Sequence, residues 1–444
     1  MKSLFYINNI VPKRIIFNNS AVGSVYYNNN LIWSKELDDS LGLKFISTGS
    51  FDITAPSSSS SGYGIIWDGV MEYSQDYGDT WSTWDGNTIT AGSVDGQYVL
   101  CFRGTNNTKV AEKSNTIDSS LTYRKGLEVN TSTDIRCVGN IEVLLDYQSV
   151  LDGNHPTMAE NCFNSLFKNW NYLIEAPRLP ATTLAPGCYN HMFYKTTKLQ
   201  QPPELPATNL DASCYEGMFR ECGITEAPVL PALTMYERSY RTMFLGCTKL
   251  TTAPILPATA LNKDCYTLMF SDCTNLTEAP VLPATQMAES CYYGMFSGCT
   301  KLTTAPALPS TKLAQSCYYD MFSGCTNLKI ASALPATTLA VSCYSYMFNG
   351  CKYLSTIPAL PATKLPSMCY YGMFDDAANY TLAKWGGLQI SETQTTECPN
   401  EYRLPSSGTI TSYVSSSGRE SLAYMFNTIT PTINTTYYTN ATVV

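Results

Sequence analysis

The run Cys291-Tyr292-Tyr293-Gly294-Met295-Phe296-Ser297-Gly298-Cys299-Thr300-Lys301-Leu302-Thr303-Thr304-Ala305-Pro306 decides the fold, because the same order of residue types returns along the chain. Its central pair has counterparts at Leu166-Phe167, Met192-Phe193, Met218-Phe219, Met243-Phe244, Met269-Phe270, Met321-Phe322, Met347-Phe348 and Met373-Phe374, 26 residues apart with one step of 25. Self-similarity at such a period marks a stacked repeat array, and it is settled before any local structure is read. Most of the 17 cysteines keep the same beat. One series, from Cys162 through Cys369, lies four residues before the apolar pair, with Ser239 in the short copy, and a second, from Cys222 through Cys351, follows it.

Each repeat divides into parts with different physics. Cys317 and Met321 are four apart, which puts them on one face of a turn or two of helix, and that face is expected to point inward. Gly298, Gly324 and Gly350 come just after the pair, where a left-handed residue ends a helix at little cost. The next segment, such as Leu302 to Pro309, is too short and proline-rich for a helix and reads as a strand of a few residues running into a polyproline-like return. One unit cannot bury its apolar side alone, so stacked neighbours share a continuous core with a parallel strand ladder along one face. Cysteines eight apart in a repeat are too distant to bridge, and their spacing does not suit zinc; ladders of buried thiols are expected instead.

The unit at 291–306 resembles the BspA-type leucine-rich repeats of gut-bacterial surface proteins and their phages, over roughly residues 156–376. Before it, Arg14-Ile15-Ile16-Phe17-Asn18-Asn19 is echoed by Val25-Tyr26-Tyr27-Asn28-Asn29 and followed by Leu31-Ile32-Trp33, apolar triplets separated by Asn-Asn turns that read as a hairpin or small three-stranded unit. That pattern resembles N-terminal modules of phage fibre and adsorption proteins. The expected organisation is a β attachment module at 1–40, a small β-sandwich-like domain at 41–152, an α/β leucine-rich-repeat solenoid at 153–376 and a capping region at 377–444, in which Met425-Phe426 falls two periods beyond Met373-Phe374.

Composition narrows the function. Only 14% of the residues are charged and the formal net charge is −8, so no basic track for nucleic acid exists. No segment approaches the ~20 apolar residues of a membrane span, and the start of the chain has no sustained apolar run of a signal peptide. With two histidines, His155 and His191, both read as surface residues, and no nucleophile, phosphate-loop or metal motif, neither enzyme chemistry, cofactor nor metal is expected. Binding is expected on the outward side of the strand ladder, where Glu175, Gln201, Glu226, Thr252, Glu278, Thr304 and Thr356 form a polar stripe whose plainer reading is a solvated face. Trp81 and Trp84 offer glycan stacking or, more plainly, a hairpin core. The resemblances imply a virion protein at the particle surface, a head or tail fibre or receptor-binding accessory. It would be a homo-oligomer attached to other virion proteins through its N-terminal module, with a host cell-surface glycan or protein as ligand. The alternative is an extracellular or cell-surface adhesin.

Overall fold

The computed structural model describes residues 42–55, 67–110, 126–355 and 358–377 in full, and elsewhere the backbone pairing of short strands. The protein is β-rich and carries a repeat solenoid with a 26-residue aromatic ladder. It divides into two compact units, Met1–Pro206 and Ala207–Val444.

The first unit begins with two antiparallel hairpins, β1 (Ile15–Phe17) with β2 (Ser20–Val22) and β3 (Ser24–Tyr27) with β4 (Asn30–Ser34). They flank the Asn-Asn pairs at 18–19 and 28–29. Next come β5 (Leu43–Ser47), β6 (Phe51–Thr54), β7 (Val70–Ser74), β8 (Ser82–Thr83), β9 (Ile89–Thr90), β10 (Gly92–Val94), β11 (Gln97–Thr105), β12 (Glu128–Thr131) and β13 (Ile135–Val138). They form a three-stranded sheet, β12-β6-β9, and a larger one in the order β14-β13-β5-β11-β7-β8, with β10 also on β11. The last member, β14 (Leu173–Glu175), is the first strand of the repeat array and pairs with β13 in parallel.

That pairing explains why the unit boundary falls inside the array and not at residue 152. Phe45 of β5 packs against Phe167 and Trp170 of the first repeat, and the Trp170 indole Nε1 donates to the Leu127 carbonyl at 2.6 Å. The β domain thus covers the end of the array, a device that repeat proteins need to hide the first apolar rung. α1 (Val143–Leu151), interrupted at Asp146 by extended backbone, is the one α-helix among the described residues.

The expected helical piece of each repeat is therefore absent. In its place is a run of overlapping β-turns. Even-numbered N–H groups of the first repeat donate three residues back, as from Asn164 to Asn161 and Leu166 to Phe163. The odd ones donate to the next repeat, as from Phe163 to Cys188, Ser165 to Asn190 and Phe167 to Met192. Every fourth residue is left-handed, for instance Ser290, Gly294 and Gly298 with φ of 52°, 56° and 73°. Gly298 is thus the last of a series and not a helix terminator. The reason for the discrepancy is the period: paired turns repeat every four residues and a helix every 3.6, so over the four residues from Cys to Met both put them on the same face.

In the second unit those inward residues stack in files. Tyr215, Tyr240, Tyr266, Tyr292, Tyr318, Tyr344 and Tyr370 follow one another with ring centroids 5.7–5.9 Å apart and nearly parallel planes. The Phe219-to-Phe374 file does the same at 5.5–5.9 Å. All sixteen described cysteines are buried, and none of them is in a disulfide. Cys299 Sγ donates to the Phe270 carbonyl at 3.1 Å and Cys325 Sγ to that of Phe296 at 3.0 Å. Burial pushes these thiols well above their ordinary range for Cys299 and up to about 12 for Cys325.

The strand side is slighter than the turn side. Neighbouring repeats of this unit meet through isolated parallel bridges, Glu226 with Thr252, Thr252 with Glu278, and Thr304 with Ile330, with Ala260 paired to Gln286 and Lys312 to Thr338 further along the return. Prolines limit further pairing by removing donors. In the return, Leu230, Leu256, Leu282, Leu308, Leu334 and Leu360 are buried. At the far end β15 (Lys364–Leu365) pairs in parallel with β17 (Ser407–Ser412), and β17 with β19 (Asn440–Val443), while β16 (Leu388–Gln389) pairs with β18 (Thr432–Ile433). Met425-Phe426 lies outside the described residues.

Candidate functional site

Glu226, Thr252 and Glu278 are the residues of consecutive backbone bridges, and all are exposed, as is Thr304. The alternation keeps the two carboxylates two rungs apart, about 10 Å at normal strand spacing. In the first unit Glu175 is exposed on β14 and accepts from Arg136 Nε at 2.7 Å, and Gln201 is exposed. Thr356 lies outside the described residues. Between Thr304 and Thr356 the same position holds Ile330, 49% exposed, which a search for polar side chains passes over. The stripe is thus a row of mixed character, repeated at one position per rung.

The two tryptophans are placed differently. Trp84 is 4% exposed, stacks on Trp67 with centroids 4.9 Å apart and touches Phe102. Its indole donates to the Asn87 carbonyl at 2.7 Å. Trp81 is half-buried, and the Arg103 guanidinium lies 4.0 Å over its ring while pairing with Glu72 at 2.8 Å. Trp84 belongs to the core, and one face of Trp81 is already occupied by a cation.

His191 departs from the surface expectation. It is 6% exposed, with Nδ1 against Asn190 Oδ1. His155 is exposed, but its Nδ1 lies 2.9 Å from both carboxylate oxygens of Glu142, which is 1% exposed. Burial pushes the Glu142 carboxyl upward, and the His155 bond opposes it. The pair borders a cavity of about 380 Å³ with Met158, Thr182 and Thr183. Among the described residues no three His, Cys, Asp or Glu side chains stand together as a metal site.

A second cavity, also about 380 Å³, opens on the return of the second unit between Leu308-Pro309 and Ala333-Pro335. Its origin can be traced to single positions. Val229, Ile255 and Val281 stand 77%, 80% and 78% exposed at successive equivalent sites, whereas the next two rungs carry Ala307 and Ala333. At the neighbouring position Pro228, Pro254, Pro280, Pro306 and Pro358 are replaced once, by Ser332. Ser332 is 7% exposed and its hydroxyl has no hydrogen-bond partner, an arrangement unfavourable by about 1–3 kcal/mol. Ser310, another serine at an otherwise apolar position of the return, instead donates to the carbonyls of Thr285 and Lys312 at 3.1 and 2.8 Å. The sequence signal for this cavity was present as a break in the proline series.

Comparison with protein-family models, with curated proteins and with solved structures gave no match.

Proposed function

We propose that the protein is a phage virion component, a head or tail fibre or receptor-binding accessory, which attaches to other virion proteins through its N-terminal hairpins and binds a host cell-surface glycan or protein with its solenoid. The array is read as a variant of the BspA-type leucine-rich repeat in which a run of turns stands where a helix is expected. The observation that carries the functional reading is the exposed row Glu226, Thr252, Glu278, Thr304, at one position per rung, in which backbone bridges join Glu226 to Thr252 and Thr252 to Glu278, and Thr304 onward to Ile330. A fixed ladder presents such a row without ordering loops on binding, which lowers the entropic cost of recognition. The residues of the Tyr215-to-Tyr370 and Phe219-to-Phe374 files are buried, so the exposed row and the stacked core use different side chains.

Immunogold electron microscopy on purified particles and on intact bacteria tests the assignment. Label at a fixed place on the particle supports it, and label on cells alone turns it into the adhesin reading, which the repeat resemblance also allows. Replacing Glu226 and Glu278 by Lys is expected to weaken attachment at least tenfold with the melting temperature unchanged. Full attachment would remove the row from the binding site.

A further inference from the structure

We infer that the outer side of the turn run, from Tyr293 to Tyr371, is a subsite for a quaternary ammonium group, with Tyr346 as its floor. The inference rests on the reading above, that the solenoid recognises a cell surface, and gives it a ligand class.

A second row of tyrosines runs outside the buried file. Two residues beyond the leading Cys, or Ser239, the early rungs carry Asn164, Asn190, Glu216, Arg241 and Thr267, so stacking of the rungs does not call for an aromatic there. Later rungs carry Tyr293, Tyr319 and Tyr371. The rung between the last two has Ser345, buried and donating to the Met368 carbonyl at 2.6 Å, and the next residue, Tyr346, supplies the ring instead. The row is thereby continuous. Tyr293 and Tyr319 lie parallel with centroids 4.8 Å apart, Tyr346 is 5.7 Å from Tyr319, and Tyr371 is 5.2 Å from Tyr346. All four rings are part-exposed, unlike those of the inner file.

The shift by one residue lays one ring flat. Tyr346 stands at 62° to Tyr319 and 78° to Tyr371. Its Cε1, Cδ1 and Cζ would lie 2.4, 2.5 and 3.2 Å from a Cβ on Gly372, and Gly372 is buried. One face of Tyr346 therefore covers Gly372, and the other is turned outward between the upright rings of Tyr319 and Tyr371. Those two stand two rungs apart, about 10 Å at ordinary strand spacing, which leaves room for one small group on the Tyr346 face.

The charges select the occupant. The turn runs 290–298, 316–324, 342–350 and 368–376 contain Asp320, Asp375 and Asp376 and no Lys or Arg. Burial and then the Asp320 carboxylate push the Tyr293 and Tyr319 hydroxyls upward; at Tyr346, burial and the Tyr371 hydroxyl act first and Asp375 adds to them. Both carboxylates thus border the row. Glu216, at the row's position in an earlier rung, is instead paired with Arg241 at 3.2 Å. Phosphate and other anions are repelled from an acidic rim. A neutral sugar can stack on Tyr346 but leaves the carboxylates without a counter-charge. A primary ammonium holds its hydration strongly, whereas a methylated one lays its methyl groups on ring faces and is attracted by their quadrupoles.

The test uses the full chain at low ionic strength. Tetramethylammonium and choline are titrated by calorimetry and by saturation-transfer NMR, with the neutral tert-butyl analogue of choline, a neutral oligosaccharide and a proline-rich peptide as comparisons. The expected result is magnetisation transfer strongest at the N-methyl protons and at least tenfold weaker binding of the neutral analogue. Tyr346→Leu, which keeps Gly372 covered as Leu268 covers Gly294, should lose at least tenfold in affinity with the melting temperature unchanged. Tyr346→Phe should keep the affinity, and Asp320→Asn combined with Asp375→Asn should lose at least tenfold. Undiminished binding by Tyr346→Leu, equal binding of the neutral analogue, tighter binding of the oligosaccharide or the peptide, or no binding of either cation overturns the proposal. Given choline binding, capture of phosphatidylcholine vesicles assigns the group to a lipid, and binding of phosphocholine without vesicle capture assigns it to a surface polymer. Choline binding by purified protein without label on particles or cells would sink the virion reading and leave the subsite in place. Label on particles without choline binding would do the reverse.

Discussion

In the turn run of a rung, alternate N–H groups reach the next rung and the side chains beneath are closed to solvent; in the return, neighbours meet through a few isolated bridges between prolines, and branched side chains stand in water. Met295, Phe296 and Cys299 are 0% exposed, whereas Ile255 and Val281 are 80% and 78% exposed. Where backbone and core are both fully used, a substitution propagates to two neighbours. Where neither is, residues can vary without harm to the stack, and both the stripe and the Ser332 cavity lie on that side or at its start.

The largest expected effect comes from breaking the aromatic file. Phe296 stacks between Phe270 and Phe322 at 5.7 Å on each side. Phe296→Ala should destabilise the second unit by about 3–5 kcal/mol, the range for core aromatic truncation, read from denaturant midpoints. A loss under about 1 kcal/mol would contradict the inward placement of the Met-Phe pair.

A smaller effect tests the left-handed positions. At Gly372, φ is 58° and an added Cβ would come 2.4 Å from Tyr346 Cε1, while at Gly324, φ is 71° and the nearest atoms are 3.6 Å away. Ala at Gly324 meets only the left-handed penalty, roughly 1–2 kcal/mol, and Ala at Gly372 must also displace a ring. Gly372→Ala should therefore melt below Gly324→Ala. The reverse order would show that the Tyr346 ring moves aside freely.

How much of this was legible follows from the same contrast. Period, inward residues, buried cysteines and exposed row could all be read, because each depends on which side chains share a face. The turn run could not. Four-residue and 3.6-residue periods coincide over the span of Cys317 to Met321, and non-glycine residues such as Asp320 and Tyr346 at φ of 53° and 54° carry no signal of left-handed backbone. Burial of His191 was hidden for a related reason: it occupies the same left-handed position, in a place set by inter-rung bonding and not by local pattern. Ser332 was visible as a missing proline, but its unpaired hydroxyl depends on the geometry of the return.

Asp320 gives a pH-dependent test on the turn side. Burial pushes its carboxyl from the ordinary 3.8 up to about 6. A carboxyl raised by folding contributes stability that is full below about 4 and is lost as pH rises through about 6. Asp320→Asn, neutral throughout, should melt above wild type at pH 7 and level with it at pH 4. The gap at pH 7 is on the order of 1 kcal/mol once partial exposure is discounted. Equal melting at both pH values would mean that the carboxylate is solvated.

The smallest expected effect belongs to the return. Ile255 lies in the middle of the exposed file, with Val229 and Val281 on either side. Ile255→Thr keeps β-branching and removes apolar surface that folding has left in water, so the transfer term that makes Phe296 expensive to truncate is nearly absent. The change should stay within about 0.5 kcal/mol of wild type, as surface substitutions do. A loss above about 1 kcal/mol would show that the file is packed against other parts of the chain, and the two sides of the rung would then differ in residue type alone and not in how far each is free to change.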